Sequence, residues 1–159
     1  MQAWYFTPGL LSAPESWRLL RWCVEHGADE FTVTVRCMAG EPAPIADAFE
    51  DAFAASYTGI TSRRILASAS EGNVQPVRLW ALNEQAIVSL RTFMSEGLFT
   101  HLVDPRGWLE DPVIYRDGTL MLGVVTHERE GVLRATPQEV RALATLGFDF
   151  ASHGEAITY

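Results

Sequence analysis

Val113-Ile114-Tyr115-Arg116-Asp117-Gly118-Thr119-Leu120-Met121-Leu122-Gly123-Val124-Val125 is the stretch on which the fold turns. Two apolar runs flank Asp117-Gly118, a pair that readily takes the positive φ angles of a type I′ turn, so the segment predicts a two-residue β-hairpin. In that register Arg116 faces Thr119, Tyr115 faces Leu120 and Val113 faces Leu122. Alternation then puts Val113, Tyr115, Leu120, Leu122 and Val124 on one side, the expected core face. The other side carries Ile114, Met121 and Val125 beside Arg116, Thr119 and His127. It is too apolar for a solvated surface, so something must partly cover it.

Downstream, Arg129-Glu130-Gly131 predicts a second turn that returns the chain into Val132–Ala135, making a three-stranded meander. Thr136-Pro137-Gln138-Glu139 is a capping box with Pro at the first helical position. Gly147 suits the left-handed residue that closes the helix, with Phe148 in reach of Leu143. Val140, Leu143 and Leu146 form the stripe expected to dock on the meander.

Upstream, Ala3–Thr7 reads as a strand, and Ser12-Ala13-Pro14-Glu15 opens a helix to Glu25 or His26 that stops at Gly27. Trp17, Leu20 and Val24 face inward there, with Trp22 at the border. Glu30–Cys37 alternates as a half-exposed strand. The prolines of Gly40-Glu41-Pro42-Ala43-Pro44 force a loop, after which Ile45, Phe49, Phe53 and Tyr57 recur every four residues and predict a helix from Ile45 to Tyr57. Thr61–Leu66 fits an edge strand, residues 67–73 a polar loop, Val74–Leu82 a strand, and Asn83 caps a helix running through Glu96 to Gly97.

This order predicts one α+β domain over residues 1–148: a largely antiparallel sheet ending in the meander, with three to four helices packed mainly on one face. Residues 149–159 read as a loosely held tail, apart from a short strand at Ala156-Ile157-Thr158-Tyr159.

The composition, 48% hydrophobic and 20% charged over 159 residues, fits one globular core. A formal net charge of −8 argues against a nucleic-acid phosphate binder and against adsorption to anionic lipid. No apolar run is long enough to span a bilayer, and Met1–Phe6 lacks the basic flank of a secretory signal. With Cys23 and Cys37 read as reduced thiols, a cytoplasmic location is expected.

No P-loop, G-x-G-x-x-G after a strand, G-x-S-x-G or H-E-x-x-H occurs. Cys23, His26 and Cys37 offer three metal ligands at most, so no metal and no cofactor is expected. The one enzymatic candidate is a general acid or base at His127 on the meander rim, with Glu130, Arg116 or Arg134 assisting; a structural rim histidine is the simpler reading. Asp104-Pro105 and Asp111-Pro112 read as turns whose carboxylates bond local backbone.

The favoured expectation is a non-catalytic interaction module, a small acidic inhibitor or immunity-type protein that occludes a basic protein partner. Asp47, Glu50 and Asp51 share one helical face as uncompensated carboxylates with no basic neighbour, and Trp22 and Trp108 are the aromatic anchors. Self-association through Ile114, Met121 and Val125 is compatible with either reading.

Overall fold

Residues 1–7, 11–36, 44–66, 71–99, 107–148, 150 and 156–157 are described by a computed structural model. The chain runs β1 (Gln2–Phe6), α1 (Ala13–Glu25), β2 (Glu30–Arg36), α2 (Pro44–Phe53), a 3-10 turn (Ala54–Ser56), β3 (Tyr57–Leu66) and β4 (Glu71–Ala81). It continues with α3 (Glu84–Phe93), β5 (Trp108–Arg116), β6 (Thr119–Val125), β7 (Glu130–Ala135), α4 (Pro137–Thr145) and β8 (Ala156–Ile157). The fold is α+β, with one sheet in the order β3-β4-β2-β5-β6-β7-β1-β8 and every neighbouring pair antiparallel.

The helix ends form as their sequences dictate. Ser12 and Glu15 close one capping box, Thr136 and Glu139 another, and the Asn83 side chain accepts from Ala86 N at 2.9 Å. Asp117 and Gly118 take φ of 49° and 69°, as the hairpin turn requires.

Across the sheet, Trp80, Phe31, Ile114, Leu122, Leu133 and Trp4 stand opposite one another from β4 to β1. This row packs with Leu20, Phe49, Ile87 and Leu143, one from each helix, in a single core. Each fully buried side chain of this kind stabilises the fold by about 1.5–3 kcal/mol.

Val113, Tyr115 and Leu120 belong elsewhere, in a second cluster with Leu79. The expected pairing of Val113 with Leu122 is replaced by Val113 with Gly123 and Ile114 with Leu122. Met121 is the extra residue of a bulge, and it divides the residues expected on one face between the two. The strand β3 covers the second cluster: although β4 and β2 separate it from β5 in the sheet, it folds back onto β5 and β6. The Tyr115 hydroxyl donates to Arg64 O at 3.0 Å, and Arg63 pairs with Glu30 at 3.0 Å. Burial pushes the Tyr115 phenol above its usual pKa. Ile114, Met121 and Val125 are all buried and offer no face for self-association.

Other expectations shift for physical reasons. The helix α2 stops at Phe53, and Tyr57 instead starts β3 opposite Trp80, 47% exposed. Helix α3 ends at Phe93, before Glu96; Glu71–Asn73 lie in β4 rather than in a loop; and Leu146 is half exposed. The second turn falls on Thr126–Arg129, where Arg129 supplies a φ of 58°. Gly131 lies within β7 opposite Phe6, and a Cβ there would stand 2.5 Å from the ring. The core also extends past residue 148: Phe150 is buried edge-on against Phe6, and β8 pairs with β1. Cys37, Gly40–Ala43, Ala67–Ser70, His101, Asp104-Pro105, Thr158 and Tyr159 lie outside the described residues.

Two substitutions test this packing. Gly131→Ala overpacks the site against Phe6 and is expected to cost about 1–3 kcal/mol in urea denaturation. Tyr115→Phe leaves Arg64 O without its donor and is expected to cost about 1 kcal/mol; an unchanged denaturation midpoint would show that this bond does not hold β3 over the hairpin.

Candidate interaction face and meander rim

The acidic helix face exists, in altered form. Asp47, Glu50 and Asp51 are all exposed on α2. Glu50 is not uncompensated, because it forms an ion pair with Arg78 of β4; both side chains are about half exposed. Among the described residues Asp47 and Asp51 have no ion-pair partner. The β3–β4 ladder sets Tyr57 opposite Trp80, Ile60 opposite Arg78 and Arg64 opposite Val74, which brings Tyr57, Ile60 and Val74 onto the side that carries Arg78. Their exposures are 47%, 63% and 59%, and they are three of the six exposed large hydrophobics among the described residues. A hollow of about 290 Å³ lies beside them, lined by Glu50, Ala54, Tyr57, Arg78 and Trp80. No sequence pattern marked this ribbon, since exposure of a strand face depends on what packs over it.

Next to it the sheet opens. The strands β2 and β4 pair only at Glu30–Ala81 and Phe31–Trp80, then part around a cleft of about 330 Å³ lined by Thr34, Phe49, Gln75, Val77 and Asp111 among others. Helix α2 borders this cleft through Ala46, Phe49 and Glu50.

The two tryptophans differ. Trp22 is buried and stacked on His26 with ring centroids 4.0 Å apart, so it is a core residue and not a surface anchor. Beside it the Cys23 thiol is fully buried and its pKa is pushed up to about 12 by that burial, as suits an inert thiol. Trp108 is half buried at the start of β5, opposite Arg36, and donates from Nε1 to Glu110 at 3.1 Å. The preceding residue, Gly107, packs so closely on Ile45 that a Cβ would come within 2.5 Å of it, which puts Trp108 beside the start of α2.

At the meander rim β5 carries a second irregularity. Thr32 pairs with Val113 but Thr34 pairs with Glu110, leaving Asp111 and Pro112 opposite Val33 alone. Asp111-Pro112 is thus a bulge within a strand and not a turn; Pro has no amide to lose there, and Asp111 takes the left-handed φ of 52°. Asp111 Oδ1 accepts from Thr126 N at 2.8 Å and from its hydroxyl at 3.1 Å, and Asp111 N donates back to Thr126 Oγ1 at 2.8 Å. Glu110 is buried, accepting from Trp108 Nε1 and from Arg36 Nε. The hydrogen bond to Glu110 raises the Arg36 pKa. Potential ligand atoms of Glu110, Asp111 and His127 all lie within 4.8 Å of one another.

This differs from the expected surroundings of His127. The imidazole is 52% exposed on the Thr126–Arg129 turn, with Glu128 3.8 Å away. Glu130 begins β7 opposite Val125, its Oε2 buried with no hydrogen-bond partner among the described residues. Arg134 lies opposite Ala3, four residues further along β7. Arg116 is at the other end of β5, about 17 Å from Asp111 at the strand rise. The structure therefore brings Glu110 and Asp111 to His127, and neither Arg116 nor Arg134. The sequence signal for this was a Pro within a strand run, preceded by an Asp able to adopt the left-handed conformation.

No family model, curated protein or solved structure matches this chain.

Arg116 has a structural role. Its Nη1 donates to His26 O at 3.1 Å and to Glu139 Oε1 at 2.7 Å, tying β5 to α1 and α4. Burial raises the Glu139 pKa, but bonds from Thr136 and Arg116 outweigh it and hold the carboxyl below its usual range. A depressed folded-state pKa contributes stability that is present above the unfolded value of about 4.3 and is lost as pH falls through the folded value. Glu139→Gln is accordingly expected to cost about 1–2 kcal/mol at pH 7 and much less at pH 3, as read from urea denaturation at both pH values.

Proposed function

We propose that this protein is a non-catalytic binding module for a basic protein partner in the cytoplasm, and that its interface is the outward face of α2 with the β3–β4 hairpin. The observation that carries the reading is the clustering of exposed Tyr57, Ile60 and Val74 beside the acidic helix that bears Asp47 and Asp51. Stable interfaces combine an apolar, aromatic-rich centre with a polar rim, and this face has both ingredients. The net charge of −8 would steer a basic partner toward it. Trp108 borders the face near the start of α2, and the cleft between β2 and β4 offers a receptacle for a partner side chain. An inhibitor or immunity-type role, in which this face occludes a basic functional surface, is the form of binding that fits a chain carrying charge and anchors without a catalytic motif.

The division of labour is testable on a partner captured from the native source and then purified. Rim charges govern the rate of association and its salt dependence, whereas buried anchors govern dissociation. Asp47→Lys/Asp51→Lys is expected to slow association about tenfold at low salt and to flatten the salt dependence. Ile60→Asp is expected to speed dissociation. Circular dichroism would confirm the fold of each variant, and rates unchanged in both would remove this face from the interface.

A further inference from the structure

The rim cluster adjoins the binding face, since Asp111 also lines the cleft between β2 and β4, but its chemistry is distinct. Consecutive residues of a regular strand point to opposite sides. At Glu110 and Asp111 the bulge and the left-handed φ of 52° break that rule, so that carboxylate oxygens of both residues come within 4.8 Å of one another and of a His127 ring nitrogen. Bulges re-aim side chains in this way beside functional sites. We propose that Glu110, Asp111 and His127 form a binding site for a divalent first-row transition ion such as Zn²⁺ or Mn²⁺.

Three features support the assignment. The donor set, two carboxylates and one imidazole, suits the borderline ions Zn²⁺ and Fe²⁺ and, through its carboxylates, the harder Mn²⁺; Mg²⁺ and Ca²⁺ favour oxygen alone. The carboxylates are held from behind, as ligating carboxylates are: Asp111 Oδ1 is fixed by Thr126, and Glu110 by Trp108 and Arg36. Donors bound to one ion at about 2.1 Å stand roughly 3–3.5 Å apart, so the trio must close slightly. His127 can make that movement because it is 52% exposed on a turn, and its exposure leaves remaining coordination positions open to water. A bound ion would clamp the β6–β7 turn to the β5 bulge.

Isothermal titration of the chelator-stripped full chain with ZnCl2 at neutral pH, paralleled by electron paramagnetic resonance of added MnCl2, tests the site. One Zn²⁺ per chain is expected, with His127→Ala and Asp111→Asn each weakening it at least tenfold and Glu128→Gln leaving it unchanged. His127→Ala alters an exposed turn, and Asp111→Asn keeps an acceptor for Thr126, so both variants should retain the fold, which circular dichroism would confirm. Absence of stoichiometric binding, or a loss smaller than tenfold in either ligand variant, would overturn the assignment.

Discussion

Both faces of the β5–β6 hairpin are apolar, and both must be taken out of water. The helices cover only one of them, burying Ile114, Leu122 and Val124. Val113, Tyr115 and Leu120 on the other would otherwise lie open, at a cost of about 25 cal/mol for each Å² of apolar surface exposed. The β3–β4 hairpin meets this demand. It twists away from β2 and returns over β5 and β6, pinned where Tyr115 donates to Arg64 O and Arg63 meets Glu30.

The remaining shape of the molecule follows from that return. A strand pair cannot both wrap over the hairpin and stay laddered to β2 along its whole length, so β2 and β4 share two residue pairs and then separate. The gap becomes the cleft, and α2 closes beside it. Phe49 packs edge-on to Trp80 at 5.1 Å and Phe53 edge-on to Phe31 at 5.5 Å, while Glu50 reaches Arg78. With one side of the hairpin committed inward, its other side is left to present Tyr57, Ile60 and Val74 next to Asp47 and Asp51. The proposed interface is thus a consequence of how the second core was covered.

Two bulges make the geometry work. The extra residue at Met121 shifts the register by one, so that a hairpin with apolar residues at nearly every position can feed two cores. The one at Asp111-Pro112 turns two adjacent carboxylates toward the histidine of the next turn. A single inserted residue is enough for either effect, because side-chain direction in a strand has a period of two.

Local chemistry determined a great deal. The Asp117-Gly118 turn, the capping boxes at Ser12 and Thr136, the Asn83 cap, the order of strands and helices and the α+β class were all legible, since each rests on φ preferences, cap hydrogen bonds or apolar periodicity within a few residues. Acidic exposure at Asp47, Glu50 and Asp51 was legible for the same reason. Only the tertiary structure decided that Trp22 is buried, that Glu50 is paired and Arg116 tied to Glu139, that Phe150 belongs to the core, and that Glu110 and Asp111 stand beside His127. These depend on which strands become neighbours and where a ladder slips by one residue. Such choices are set by the total burial of distant segments, and no short stretch of sequence encodes that sum.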